Sequence, residues 1–390
     1  MKFQGDIHLS LRKFVAPEYI FGIDARKMTA NYCKKLGAER VFIATDSGLK
    51  KTPWYQELAD SLKDEGIEYY TFYNISPNPR DYEVAEGAQK YTESKCNVIV
   101  AIGGGSVMDC AKGIGIIVTN NKLIYDYEGI DKILKPTPPL ICIPTTAGTS
   151  ADVSQFAIIN NTVDKYKMAI ISKALVPDVA LIDPFVLQTM DNYLTACTGM
   201  DALCHAFEAF VSNANSAFTD LFALEAIRLL HENLRLNIQT PEDTQARGKT
   251  MLGSLYAGLA FSNASLGCVH SLAHSLGGYL DLPHGECNAI LLPHVVDFNF
   301  IFAIDRYTKI AETLGLPITG LTNGQVKKQL IDYLINLKIS LNIHYSLKNK
   351  GVSGDIIPAL AKKAIKDPCN ATNPKAPNVR DLEIIYNEAL

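Results

Sequence analysis

The first half of the chain alternates short apolar runs with amphipathic segments, and this alternation constrains the fold more than any other feature. Strands are predicted at residues 41–45, 69–73, 97–102 and 140–144, and helices at residues 55–65 and 82–93. Strands that alternate with helices are typical of a parallel sheet covered by helices on its faces. We therefore expect an α/β domain with a parallel sheet.

The pattern changes after Asp183-Pro184. From about residue 194 onwards, segments such as 218–230 and 249–259 carry apolar residues at helical spacing, and continuous strand-like runs are scarce. The Asn- and Pro-rich segment 367–378 predicts a loop before a last short helix. The sequence thus predicts two domains, an α/β domain over residues 1–185 and an all-helical domain over residues 186–390.

Charge and cysteine content exclude several classes of protein. The formal net charge is −4, which gives no electrostatic basis for binding nucleic acid or an anionic membrane. The N-terminus mixes polar and apolar residues, so no signal peptide is expected, and no apolar run is long enough to span a membrane. The nine cysteines are scattered without a CxxC pair, as expected for free thiols in a reducing cytoplasm.

A glycine-rich turn follows the predicted strand at 97–102. It consists of Gly103, Gly104, Gly105 and Ser106, and a helical pattern begins at Val107. Glycines allow close approach of the backbone to a ligand, and a helix start offers free N–H groups to an anion. The turn is a candidate diphosphate site, although Met108 stands where the GxGxxG fingerprint has its third glycine. A purely structural turn is the alternative.

Two further strand ends carry polar groups. Asp46 ends the first strand, where an acid can bind the ribose hydroxyls of NAD, but it can equally cap a turn. The segment 144–150, PTTAGTS, is rich in hydroxyls and small residues, as ligand-lining loops of α/β sheets are. An ordinary loop is again the alternative.

The second half concentrates histidines together with one aspartate. Asp201 and His205 are four residues apart, as are His270 and His274, and residues at this spacing share one helix face. His284 follows ten residues after His274, and His294 lies further on. One carboxylate with three imidazoles suits Fe²⁺ or Zn²⁺, and an ion so bound retains positive charge to polarise a substrate oxygen. Spacing leaves open which three histidines bind.

Several ordered motifs resemble the iron-containing (group III) alcohol dehydrogenases. They are GGGSVMDCAKGIG, PTTAGTSADV, GMDALCHAFEAFVS and VHSLAHSLGGYLDLPHGECNAILLPHVV. The resemblance covers nearly the whole chain. It implies an N-terminal α/β dinucleotide-binding domain and an all-α C-terminal metal-binding domain, the dehydroquinate synthase-like fold, with the active site in the cleft between them. It also implies at least a homodimer.

The same resemblance assigns roles to residues by position. The implied metal ligands are Asp201, His205, His270 and His284, and His274 is left for proton relay. Asp46 implies a preference for NAD, and Gly103 to Ser106 with Asp109 match the diphosphate motif. The other implied cofactor contacts are Asn78, Thr145, Thr146, Thr149 and Lys167, and the implied substrate-pocket residues are Phe261 and Cys369. Asp152 departs from the glutamate common at its position, and Gln155 and Phe156 after it are expected to shape the substrate end.

These implications predict an NAD(H)-linked enzyme that interconverts a small primary alcohol and its aldehyde with one divalent ion, Fe²⁺ before Zn²⁺ or Mn²⁺. The substrate stays open among small alcohols, diols and functionalised aldehydes, including anionic ones such as sulfo- or phosphonoacetaldehyde. Two alternatives remain: a regulatory or sensory protein that keeps the scaffold, and the fold-related zinc enzymes glycerol dehydrogenase and dehydroquinate synthase.

Overall fold

The computed structural model describes residues 11–390. Residues 1–10 lie outside the described residues. The expectation that the N-terminus carries no signal peptide falls partly on them. The described part of the first half contains nine strands: β1 (Glu18–Phe21), β2 (Arg40–Ala44), β3 (Glu68–Phe72), β4 (Val98–Gly103), β5 (Gly129–Ile130), β6 (Leu140–Pro144), β7 (Phe156–Asn161), β8 (Tyr166–Ile171) and β9 (Val179–Ile182). It also contains four α-helices: α1 (Thr29–Lys35), α2 (Pro53–Asp64), α3 (Asp81–Glu93) and α4 (Gly105–Asn120).

Six strands form one parallel sheet in the order β1-β9-β6-β4-β2-β3. Every residue of β4 is buried, as expected for a strand covered by helices on both faces. Along β2 the side chains alternate, so that Val41 and Ile43 pack with Trp54 of α2 on one face. Phe42 packs with residues of α3 and α4 on the other. The alternation therefore places one apolar layer on each face of the sheet.

Two strands form a hairpin beside this sheet. Strands β7 and β8 pair in antiparallel register, and β5 pairs in parallel with β8 in a separate three-stranded sheet, β5-β8-β7. The hairpin was not predicted from the sequence. The predicted strands at 41–45, 69–73, 97–102 and 140–144 correspond to β2, β3, β4 and β6 within one residue at each end.

The second half contains no strand among the described residues. Its helices are α5 (Asn192–Val211), α6 (Ala217–Gln239), α7 (Thr244–Ala264), α8 (Cys268–Leu280), α9 (His284–Asn299), α10 (Ile304–Thr313), α11 (Asn323–Ser340), α12 (Ile357–Ala364) and α13 (Val379–Glu388). A large apolar core holds them together, and α5 is buried on nearly all sides. The predicted fold class, a parallel α/β half followed by an all-helical half, is confirmed.

The two halves meet between β9 and α5, through a short 3-10 segment at Pro184–Thr189. The proposed domain division near residue 185 lies in this connection. Segment 367–378, predicted as a loop, contains one 3-10 turn at Pro368–Thr372. In residues 11–390 no single helix is long and apolar enough to cross a membrane. Helices α7 and α8 reach that length and apolar composition only when taken together, and a bend of 101° separates them.

Candidate metal and cofactor site

Three loops singled out in the sequence lie at one edge of the large sheet. Asp46 follows β2, Gly103 ends β4 and Thr145 follows β6, and these three strands are parallel neighbours. The carboxyl ends of such strands form the usual ligand crevice of an open α/β sheet. The fold therefore gathers the predicted cofactor loops in one place.

Close packing in this crevice explains one of the glycines. A Cβ on Gly105, the first residue of α4, would lie 2.5 Å from the hydroxyl of Thr149. Only glycine allows the two loops this contact while leaving the start of the 16-residue helix α4 open to the cavity. The N-terminus of α4 can thus present N–H groups to a phosphate.

Asp46 performs the structural role that the sequence analysis offered as the alternative. Its Oδ1 accepts hydrogen bonds from the N–H groups of Gly48 and Leu49, each at 2.8 Å. The cap engages one carboxylate oxygen, so the other stays available for a ribose hydroxyl. Both roles are compatible, and the ribose contact stays a prediction.

A cavity of about 90 Å³ lies between the two halves of the chain. Most of the predicted site residues line it: Asn78, Gly105, Ser106, Asp109, Thr149, Phe156, Lys167, Asp201, His205, Phe261, His270, His274 and His284. The remainder lie outside its lining: Asp46, Gly103, Gly104, Thr145, Thr146 and Cys369. Cys369 is fully buried, with its N–H bonded to Asp367, so its contact with substrate stays a prediction.

Three helices bring the predicted metal ligands together. Asp201 and His205 project from α5, His270 from α8, and His284 is the first residue of α9. Asp201 Oδ1 lies 3.8 Å from His205 Nε2 and 3.7 Å from the Nε2 atoms of both His270 and His284. Gly285 allows this convergence, because a Cβ there would lie 2.1 Å from the carbonyl oxygen of Cys197 on α5.

The donor set fits a divalent ion. Asp201, His205 and His270 are at most 4% exposed. Among residues 11–390, the amide of Asn288 is the one donor within hydrogen-bond distance of the ligand atoms of Asp201, His270 and His284. Asn288 Nδ2 lies 2.6 Å from Asp201 Oδ1, 3.2 Å from His270 Nε2 and 3.3 Å from His284 Nε2. Ligand atoms of Asp201, His270 and His284 lie within 4.8 Å of one another, and His205 adjoins this group beside Asp201. Such a donor set has the chemistry of an Fe²⁺ or Zn²⁺ site.

Burial also sets the protonation of the ligands. Burial lowers the pKa of His205 to about 3 and lowers that of His284 as well, so both rings are neutral and carry a free lone pair. Burial acts to lower the pKa of His270, but the carboxylates of Glu208 and Asp201 raise it to about 9, so a metal would displace a proton from this ring. Burial acts to raise the pKa of Asp201, but the cationic ring of His270 holds it well below its usual range. Neutral imidazoles and an ionised carboxylate are the forms that bind metal.

His274 lies beside these ligands with a different partner. Its Nδ1 is 2.8 Å from Asp367 Oδ2, and its ring stacks on that of His284 with centroids 5.2 Å apart. Asp367 also caps the turn at 368–372 by accepting the N–H of Cys369. Because an ionised carboxylate only accepts hydrogen bonds, we assign the proton to Nδ1, which leaves Nε2 of His274 free to exchange a proton.

An aromatic wall closes the ligand end of the cavity. Phe261 stacks on His205 with ring centroids 4.3 Å apart, and Phe156 meets Phe261 edge-on at 5.5 Å. Alternate residues of β7, namely Phe156, Ile158 and Asn160, face the cavity, since side chains of a strand alternate between its faces. The cavity wall therefore becomes more polar along β7, from Phe156 to Asn160.

Polar groups from both halves meet at the opposite end. Lys167 Nζ donates to Asn78 Oδ1 at 2.7 Å, and Asn78 Nδ2 donates to Asp281 of α8's C-terminal end at 2.8 Å. Burial lowers the pKa of Lys167. These hydrogen bonds hold Lys167 and Asn78, two predicted cofactor contacts, next to each other.

Asp109 is a buried acid without a full set of partners. It lies in the first turns of α4 and lines the cavity, and its Oδ1 accepts no hydrogen bond from the described residues. Burial raises its pKa to about 7, with the lysines 112 and 167 acting in the opposite direction. An acceptor of this kind is suited to a donor group on a bound ligand.

The raised pKa of Asp109 predicts a pH-dependent effect of Asp109→Asn in the metal- and cofactor-free protein. A carboxyl whose folded pKa exceeds its unfolded value destabilises the fold as pH rises between the two values. Asparagine cannot ionise, so the variant should be the more stable by up to about 4 kcal/mol at pH 8 and by less than about 2 kcal/mol at pH 5. Urea unfolding at both pH values measures this difference.

Asp305→Asn, at an exposed position of α10, is the control for that experiment and should show no such pH dependence. If Asp109→Asn and the parent protein respond identically to pH, folding does not raise the pKa of Asp109, and its carboxyl is ionised over this range in both the folded and the unfolded state.

Three residues of the site were missed by the sequence analysis. Glu208 bonds His270, Asn288 faces the ligand atoms, and Asp367 bonds His274. Glu208 lies three residues after His205 and Asn288 four after His284, so helical spacing offered a signal for both. Asp367 is 93 residues from His274, and no spacing rule reaches that far.

The comparisons with known proteins agree on one family. The family model for iron-containing alcohol dehydrogenases matches residues 16–184, and the model for the C-terminal part of the same family matches residues 195–390. The chain is 38% identical to 1,3-propanediol dehydrogenase of Klebsiella pneumoniae over 371 residues, which cover 95% of this chain and 96% of that protein.

It is also 36% identical to NAD-dependent methanol dehydrogenase of Bacillus methanolicus, over 97% of this chain and 99% of that one. Among solved structures, a 1,3-propanediol oxidoreductase superposes with a TM-score of 0.94 at 37% identity, covering 98% of this chain and 100% of the other. These matches confirm the predicted enzyme class, an alcohol dehydrogenase, and agree with the predicted cofactors, NAD(H) and a divalent metal. The chain belongs to the iron-containing alcohol dehydrogenase family.

Proposed function

We propose that the protein interconverts a small, uncharged primary alcohol and its aldehyde: R–CH₂OH + NAD⁺ gives R–CHO + NADH + H⁺. The observation that carries the proposal is the convergence of Asp201, His205, His270 and His284 in the same cavity as His274 and the start of α4. One cavity thus combines a metal-ligand set, a free imidazole nitrogen and a phosphate-binding helix terminus.

Each part of the chain has a separate task in this reaction. The start of α4 with Gly105 and Ser106 binds the diphosphate of the dinucleotide, and Asp46 binds its adenosine ribose. Asp201, His205, His270 and His284 would hold a divalent ion, which would supply a Lewis acid for the substrate oxygen, and a bound nicotinamide would supply the hydride donor or acceptor. His274 Nε2 receives or returns the proton. The aromatic wall of Phe156 and Phe261 excludes water from the reacting atoms.

The charge of the cavity lining supports a neutral substrate. Lys167 is the one lysine or arginine among its described lining residues, and its amino group already donates to Asn78. The wall nearest the ligands is apolar and includes Phe156, Phe261 and Leu266. A sulfonate or phosphonate placed there would have no paired cation, which is costly in a buried site. The relatives named for propanediol and methanol support the same choice.

A substrate panel on metal-reconstituted protein tests this proposal. We expect NADH-dependent reduction of short neutral aldehydes and NAD⁺-dependent oxidation of methanol, ethanol and 1,3-propanediol. Sulfoacetaldehyde and phosphonoacetaldehyde should show kcat/KM lower by at least about 100-fold, because an unpaired buried anion costs several kcal/mol.

Two results would contradict the proposal in different ways. Preference for an anionic aldehyde would overturn the neutral substrate while leaving the reaction class in place. Absence of turnover with every member of the panel, in protein that retains metal and binds NADH, would favour a sensory protein built on the same scaffold.

A further inference from the structure

The ligand His270 has a carboxylate partner on the side of its ring that faces away from the other ligands. Its Nδ1 lies 2.6 Å from Glu208 Oε2, while its Nε2 faces Asp201. His270 is 1% exposed and Glu208 4% exposed, so water does not compete for this contact. Nδ1 of His205 and Nδ1 of His284 have no hydrogen-bond partner among the described residues. His270 is therefore the predicted imidazole ligand with a carboxylate behind it.

Glu208 is itself fixed by a second hydrogen bond. Its Oε1 accepts the backbone N–H of Val269 at 2.6 Å, in the first turn of α8. The positive end of the helix favours a carboxylate at this position. Glu208 thus connects α5, which carries two predicted ligands, with the start of α8, which carries a third.

We propose that Glu208 is a positioning residue of the metal site, holding His270 in the tautomer that can bind the ion. A carboxylate accepts and does not donate, so its contact with Nδ1 requires the proton to be on Nδ1. In the neutral ring the lone pair is then on Nε2, which faces the other ligands. Outer carboxylates of this kind orient a ligating imidazole and raise its basicity. The proposal rests on the metal site of the proposed function.

The isosteric change Glu208→Gln separates this role from simple packing. Glutamine has one acceptor and one donor group where glutamate has two acceptors. If its oxygen accepts from Val269, its NH₂ faces Nδ1 of His270 and favours the tautomer with the proton on Nε2, which cannot bind metal. If the amide is reversed, the N–H of Val269 loses its buried acceptor. Either arrangement opposes metal binding.

We expect Glu208→Gln to weaken Zn²⁺ or Co²⁺ binding by about 10- to 100-fold, the usual effect of removing such a partner. The measurement is competition with a chromophoric chelator, using the metal alone and the full-length metal-free protein. In ¹⁵N-histidine NMR spectra of the metal-free protein recorded above about pH 9, where the ring of His270 is neutral, the variant should also shift one imidazole from the Nδ1–H to the Nε2–H tautomer. A purely structural role for Glu208 predicts no such tautomer change.

Glu83→Gln is the matched control. Glu83 is 5% exposed and accepts backbone N–H groups at the start of α3, from Ser76 and Arg80, but it touches no predicted ligand. Its replacement should lower stability without changing metal affinity. Unchanged metal affinity in Glu208→Gln overturns the proposal. Should that variant fail to fold, Glu208→Asp, which keeps the charge but shortens its reach, serves instead, and unchanged affinity there overturns the proposal equally. A parent protein that binds no metal would instead refute the proposed function.

Discussion

His284→Ala is expected to lose the divalent ion and, with it, at least about 10³-fold in kcat, because the Lewis acid supplies several kcal/mol at tenfold per 1.4 kcal/mol. Of the predicted metal ligands, His284 is the most suitable one to replace. It starts α9 at the edge of the site, and its side chain is 22% exposed, so its loss leaves a smaller internal cavity than loss of His205 or His270. Metal content per chain after dialysis against a chelator, followed by NADH turnover, measures the effect.

His294→Ala is the control for this experiment. His294 lies on the same helix but does not line the cavity between the two halves, so His294→Ala should keep both metal and activity. A full equivalent of tightly bound metal in His284→Ala would show that His284 is not a ligand. His274 would then be the next candidate, since its ring stacks directly on that of His284.

The histidines show how far sequence reasoning reaches at this site. The spacing of Asp201 and His205 correctly predicted one helix face, because both belong to α5 and the turn of a helix is a local property. The equal spacing of His270 and His274 misleads, because both project from α8 but only His270 faces Asp201. His274 is held instead by Asp367. Partners that distant in the chain are set by the tertiary fold, and neither the spacing nor the family motifs anticipated Asp367.

The β7–β8 hairpin was missed for a physical reason. Asn160 and Lys167 are directly paired across the two strands and are both buried, yet they line the cavity rather than an apolar core. Such positions break the apolar pattern by which strands were recognised. Strands β2, β4 and β6, whose side chains enter apolar layers on both faces of the sheet, were predicted within one residue. The apolar pattern therefore failed to predict strands whose side chains line the cavity.

Asp46 shows a different limit. Its position at the end of β2 predicted two roles, and the cap to Gly48 and Leu49 is formed while the ribose contact concerns a molecule outside the chain. A sequence can place such a carboxylate at the crevice because strand ends are local features. The sequence alone cannot choose between the turn cap and the ribose contact, because the two roles use different oxygens of the same carboxylate.

His274→Asn is expected to reduce kcat by about 10²- to 10⁴-fold, the usual contribution of a positioned acid or base, while leaving metal content and NAD(H) affinity unchanged. Asparagine can still donate to Asp367 through its amide, so the buried carboxylate keeps a partner. What it lacks is the second ring nitrogen, which alone can exchange the proton. The loss should therefore appear in kcat.

The pH dependence of kcat decides between proton relay and packing at His274. If Nε2 relays the proton, the parent shows a limb that reports its ionisation, and His274→Asn flattens this limb as well as lowering the plateau. If the ring only packs against His284, turnover falls by a constant factor at every pH and the limb persists. Retained turnover with an unaltered profile would exclude both roles. The contact with Asp367 would then matter only for stability, since it fills the hydrogen-bonding needs of two buried groups.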